Sequence, residues 1–131
     1  MTEDASGGCL QRDFQFDDEL PTERDLRDLL RTPPRHFKHF EETLRLDFHN
    51  GFHNAVCGHM CLDTAANDPI FFLLHTFLDK AWSDWQSKGH KHKYAYYKTK
   101  RRNRPLTYAK ISPLPLLDIT NMFNTTCVNY T

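Results

Sequence analysis

Two imidazoles stand four residues apart in His49-Asn50-Gly51-Phe52-His53. On a helix that spacing puts both side chains on one face, a turn from each other, within reach of a single metal ion. A third donor completes such a site. His75, about one and a half turns into a later helix-forming run, supplies it if the two helices pack antiparallel or crossed. Three neutral imidazoles suit copper, zinc or iron, and zinc with an open water position is chemically admissible. The pair alone is a weak signal, because His-x-x-x-His spacing occurs in many helices as surface or core residues. Its surroundings decide.

Three elements have to position these rings. The first begins after Pro21, where Thr22 caps and Asp25 stands three residues on, followed by Leu26, Leu29 and Leu30 on one face. It stops before Pro33-Pro34. The second takes Thr32 as a cap with proline in its first turn, and Phe37, Phe40, Leu44 and Phe48 recur at helical spacing up to His49. The third has the clearest start: Asn67-Asp68-Pro69 offers a capping side chain and a proline preset for the first turn, and the run continues through His75, Trp82 and Trp85 to about Gly89. Beyond it, His90 to Pro105 is basic and aromatic without a helical stripe and reads as a loop or two short extended pieces. Pro113 and Pro115 keep the tail irregular, with a short strand over Leu116 to Met122. The expectation is a mainly α protein: an irregular lead-in over 1–20, a helical metal-binding region over 21–89, and a basic loop with an irregular C-terminal segment over 90–131.

With 131 residues the chain fits one modest core. Its 39% hydrophobic and 26% charged residues are those of a globular protein, and 13% aromatic with ten Phe is high. Formal charge is zero, so nothing global calls for nucleic acid or a membrane surface. Charge is nevertheless uneven, with no Asp or Glu from Trp85 to Leu117. The basic stretch Lys88 to Arg104, interleaved with Tyr94, Tyr96 and Tyr97, reads as a solvated loop because no nucleic-acid motif accompanies it. No apolar run reaches the ~18 residues that a membrane span needs. Residues 1–8 are polar and acidic, unlike a signal peptide, whereas the triplets Asn124-Thr125-Thr126 and Asn129-Tyr130-Thr131 are glycosylation acceptors of the kind secreted proteins carry. These signals oppose each other and leave localisation open.

The neighbourhood of the histidines resembles the tyrosinase and hemocyanin family of type-3 copper proteins, and within it the second copper-binding half, CuB. That pattern runs His-Asn-x-x-His, a Gly-x-Met element, then Asn-Asp-Pro-[IV]-Phe-[FW]-Leu-x-His with Asp and Trp a turn or two later. Here it reads His49-Asn50-Gly51-Phe52-His53, Gly58-His59-Met60, Asn67-Asp68-Pro69-Ile70-Phe71-Phe72-Leu73-Leu74-His75 and Asp79-Lys80-Ala81-Trp82, without a gap. The resemblance implies a partial helical bundle like the CuB half of the tyrosinase core, copper as cofactor, and His49, His53 and His75 as its ligands. Asn50 matches a position that helps hold the water thought to deprotonate a phenol, with Glu41 or Glu42 as its acidic partner. Asp79 matches a helix residue whose carboxylate fixes ligand geometry. Two departures stand out. Leu74 replaces a common histidine beside the ligand, and Cys57 sits where glycine is commoner. Cys57 and Cys61 frame the Gly-His-Met element and are able to bridge to each other, or either to Cys9 or Cys127.

A type-3 site holds two copper ions on six histidines. The family's CuA half carries a Trp-His-Arg signature that this sequence lacks. His36, His39, His59, His90 and His92 do not reproduce the CuA spacing and read as surface residues. The resemblance therefore implies oxidation of phenols or catechols with dioxygen only when a CuA half is supplied; the alternative is a non-catalytic copper-binding or interaction module. Phe37, Phe40, Phe48, Phe71, Phe72 and Trp82 exceed what a short first helix and a loop cover, so a CuA-bearing chain or a second copy is the expected partner, with a phenolic small molecule as substrate.

Overall fold

The computed structural model describes residues 8–15 and 19–96. The tail, including the expected strand over 116–122, the two glycosylation triplets and Cys127, lies outside the described residues.

Thr22 opens helix α1 (Glu23–Leu30) with a capping box: the Asp25 amide donates to the Thr22 hydroxyl, and the Thr22 amide donates to the Asp25 carboxylate at 2.7 Å. Two donors left over by helical geometry are thereby satisfied. A 3₁₀ turn, Pro34–His36, then leads into a continuous helical rod made of α2 (Phe37–Thr43), a π-helical stretch Leu44–Asn50, and α3 (Gly51–Val56). Thr32 does not cap this rod as expected. Its residue is buried, and its carbonyl accepts from the Trp85 indole N–H at 2.8 Å, so tertiary packing has claimed the position. After 3₁₀ turns at Gly58–Cys61 and Ala65–Asn67, helix α4 (Ile70–Gln86) crosses back over the rod. Among the described residues there is no strand, and no helix is long and apolar enough to cross a membrane. The fold is mainly α.

Two apolar clusters hold α4 on the rod. In one, Leu29, Phe37, Phe40, Leu44, Phe48, Ala81 and Trp85 are buried together, and Trp85 stacks on Phe40 with ring centroids 4.2 Å apart. In the other, Val56, Met60, Ala65 and Leu74 pack with Phe52, Ile70 and Phe71. Leu78 touches both, so the clusters flank the point where α4 crosses the π-helical stretch.

In its described part, residues 90–96, the stretch from His90 differs from the loop that its composition suggests. It opens with a short helix, α5 (His90–Lys93), behind Gly89, whose φ of 153° is one that side-chain-bearing residues rarely adopt. Contact with α4 fixes it: His92 meets the Trp85 ring edge-on at 5.0 Å, and Ala95 is buried in the first cluster. The expected deficit of cover applies to only part of the set. Phe37, Phe40 and Phe48 are all buried, with Tyr96 and Trp82 against Phe37. Phe72 is exposed as expected, together with Leu73 and Phe77 on α4 and with Leu46 and Leu62.

The lead-in is irregular in its described part yet firmly attached. The Asp13 and Gln15 amides donate to the Val56 and Ala55 carbonyls at 3.0 and 2.8 Å. The Arg12 guanidinium grips the wholly buried Asp68 carboxylate through two bonds of 2.9 Å, and Asp68 also accepts from the Ile70 amide to cap α4. The hydrogen bonds from Arg12 hold the Asp68 carboxyl below its ordinary range against the opposing effect of burial. A carboxylate whose pKa is lowered in the fold contributes stability above the ordinary aspartate range, and that contribution is lost as pH falls through the lowered value. Urea midpoints measured from about pH 6 to about pH 2 are expected to drop on the acid side, with Asp68→Asn flattening that limb and lowering the plateau. An unchanged acid limb in the variant would dismiss this pair as the acid-sensitive element.

Candidate metal centre

His49 is the last residue but one of the π-helical stretch, His53 lies one turn on in α3, and His75 reaches in from the second turn of α4. The ring centroids are 4.5 Å apart for His49 and His53, 5.1 Å for His49 and His75, and 5.9 Å for His53 and His75. One nitrogen from each ring lies within 4.8 Å of the others, and among the described residues this is the one group of His, Cys, Asp or Glu gathered this way.

Two rings are already set to present a lone pair. His53 Nδ1–H donates to the Met60 carbonyl at 2.6 Å, and His49 Nδ1–H donates to the Asn50 side-chain oxygen at 2.7 Å. With the proton on Nδ1, Nε2 is left bare, which is the form that binds a metal. The Nε2 atoms of His53 and His75 are buried without a hydrogen-bond partner. Two such atoms facing one another are costly in an apolar interior unless something accepts their lone pairs. Burial, reinforced by repulsion from His49 and His53, pushes the His75 imidazolium to a lower pKa and keeps the ring neutral. Phe71, 4.0 Å from His75 between ring centroids, walls the site on one side. The donor set fits a borderline transition-metal ion held by three imidazoles.

Residues 2–88 match the family model for the common central domain of tyrosinase. The chain belongs to the tyrosinase family. It is 36% identical over 64 residues to a tyrosinase-like protein, phomQ2, of Diaporthe leptostromiformis, covering 49% of this chain and 16% of that protein. The tyrosinase of Streptomyces antibioticus is 38% identical over 50 residues, 38% of this chain and 18% of that enzyme. The tyrosinase of Streptomyces lincolnensis is 31% identical over 81 residues, 53% of this chain and 30% of that enzyme. The chain thus spans less than a third of the length of these curated relatives. No solved structure matches it. Proteins of the tyrosinase family bind copper, and the triad is a group of ligands able to hold a metal ion.

The remaining expected site residues divide around the triad. A cleft of 390 Å³ is lined by Glu41, Arg45, His49, His75, Leu78, Asp79 and Trp82, so Glu41 and Asp79 share a cavity with two of the imidazoles. Glu41 accepts from Arg45 at 2.7 Å. Glu42 does not line that cleft and instead pairs with Lys38 at 3.6 Å. Asn50 faces its own neighbour His49 through its side-chain oxygen. Outside the site, His36, His39 and His90 are exposed, and the His59 ring takes the Gln11 amide at 2.9 Å.

Two features of the site were not foreseen. The first is the π-helical stretch itself, which carries His49; π turns concentrate at functional sites, and the only trace in sequence is that apolar spacing ends one residue before a histidine. The second is the acceptor for His53, a main-chain carbonyl that no residue type announces. Cys57 bridges to Cys61, leaving Cys9 exposed and free. Cys57 has a φ of 40°, which explains why glycine is the commoner residue there. At Gly58, with φ 56°, an added Cβ would run into the Gln11 carbonyl.

Proposed function

We propose that the chain is the CuB-type half of a tyrosinase-like type-3 copper oxidoreductase, holding one copper ion on His49, His53 and His75. The observation that carries this reading is the pair of buried, unpartnered Nε2 atoms converging with a third ring whose Nδ1 is already occupied. Copper bound there would supply the redox chemistry by which, together with a second copper on a CuA half, dioxygen oxidises phenols or catechols. The chain's own residues provide the frame. Asn50 and Met60 fix two imidazoles in the ligating tautomer, burial keeps His75 neutral, and Phe71 and the second apolar cluster keep water from that side. Glu41, on the cleft beside His49, is the better placed of the two glutamates to hold a water or take a phenolic proton with Asn50. The cleft and the exposed Phe72, Leu73 and Phe77 are where a CuA-bearing chain or a second copy would seat.

Loading the full chain with cupric ion and recording its electron paramagnetic resonance tests this. A single mononuclear cupric signal is expected from the chain alone, without catechol oxidation. Addition of the CuA-bearing half of a Streptomyces tyrosinase is expected to silence that signal by pairing the two ions, and oxidation should appear. A signal that persists in the mixture, with no oxidation, would assign the chain to a non-catalytic copper-binding module. Failure to bind copper at all would remove both readings.

A further inference from the structure

The carbonyl that fixes His53 belongs to the fourth residue of a five-residue loop closed by a covalent bond. Cys57 and Cys61 are disulfide-linked with Cα atoms 4.7 Å apart, and Met60, whose carbonyl accepts from His53 Nδ1, lies between them. The loop is anchored to the same helix turn that carries the ring, since the Cys57 amide donates to the His53 carbonyl at 2.9 Å. Its far side is tied down as well: the Met60 amide donates to the Cys57 carbonyl, the His59 amide donates to the Gln11 carbonyl, and the Met60 side chain is buried in the second cluster. Cys57 accepts a positive φ that costs an L-residue energy, and such a conformation persists where its surroundings over-determine it. The cross-link is one of those constraints. Cys61 is exposed, so the bond is open to a reductant from solvent.

We propose that the Cys57–Cys61 disulfide is a positioning device for His53 and makes the metal affinity of the triad depend on the redox state of the chain. With the bond intact, the Met60 carbonyl is held where it keeps the proton on Nδ1 and directs Nε2 at His49 and His75. Reduction by a dithiol breaks the S–S bond; two electrons and two protons yield two thiols, and the reductant is left as its own disulfide. The loop then keeps only its hydrogen bonds, the carbonyl moves, and the ring is free to turn or change tautomer. Hydrogen-bond partners of ligating histidines are typically worth about 10- to 100-fold in metal affinity.

This inference rests on the copper reading above, and its test separates the two. In the full chain, Cys57→Ser combined with Cys61→Ser is expected to bind cupric ion about 10-fold or more weakly in competition with a chelator, while helical circular dichroism is retained. In ¹⁵N-detected spectra of the metal-free protein, the wild type should show His53 as one Nδ1–H tautomer and the variant a mixture. Unchanged affinity and tautomer in a folded variant would overturn the proposal. If the variant does not fold, the metal-free wild type is titrated with a dithiol. Loss of the His53 Nδ1–H signal with α4 resonances intact supports the proposal; its survival after both thiols form, or melting of α4 in the same step, overturns it. A wild type that takes no copper sinks the metal reading, and the tautomer measurement still decides the role of the bridge.

Discussion

His53→Ala is expected to lower the copper content of the purified chain from about one ion to less than a tenth of that, measured by elemental analysis after removal of free metal. The loss should exceed the roughly 10- to 100-fold that a missing hydrogen-bond partner costs, because a bond to the ion itself goes. Two imidazoles would remain, His49 and His75, with ring centroids 5.1 Å apart. His53→Ala also removes the group that Met60 engages, so circular dichroism must accompany the measurement. Helical signal should persist, since the apolar clusters that hold α4 on the rod do not include the His53 ring. Full copper content in a folded His53→Ala protein would refute the ligand assignment.

Trp85→Ala should unfold the chain at ordinary temperature or bring it close to unfolding. The Trp85 side chain is fully buried, stacks on Phe40, meets Phe37 with ring centroids 6.1 Å apart, and donates its indole N–H to the Thr32 carbonyl. Truncating a buried Trp costs about 3–5 kcal/mol through lost transfer energy and the cavity left behind. Domains are stable by only about 5–15 kcal/mol in all, so this is roughly a fifth of the total or more. Trp85→Phe separates the contributions: it keeps most of the ring and leaves the Thr32 carbonyl unpaired, for an expected cost of about 1–3 kcal/mol. Urea denaturation followed by circular dichroism reads both. A Trp85→Ala midpoint within error of wild type would mean that the α1–α2–α4 cluster is not what holds the fold.

What the sequence makes legible is local. Thr22 and Asp25 are three residues apart, and Asp68 is two before Ile70, so their capping bonds follow from spacing alone and are found in the fold. The three histidines are likewise legible because a family pattern gives each of them a position, and the folded chain brings them together. What escapes is set by partners far along the chain. Arg12 and Asp68 are 56 residues apart, and nothing in either neighbourhood names the other. Thr32 reads as a cap until a tryptophan 53 residues away claims its carbonyl. The short helix at His90–Lys93 carries no stripe of its own, and packing against Trp85 rather than propensity makes it. Cysteine pairing is open on paper, because four thiols admit several connectivities.

The π-helical stretch has a bearing on descent. A π turn is an α-helix that has taken in one residue more than its geometry wants, and removing one residue lets it relax into regular α form. A single-codon deletion between Leu44 and Phe48 would therefore leave a helix at least as good as before, with the turns on either side in nearly the same phase, because the wide turn had absorbed the extra residue. Phe37 and Phe40 would keep facing Trp82 and Trp85 while His49 and His53 keep meeting His75. The Leu44–Asn50 stretch is thus a place on the rod where the count of residues between the aromatic core and the metal site can fall by one without turning either away.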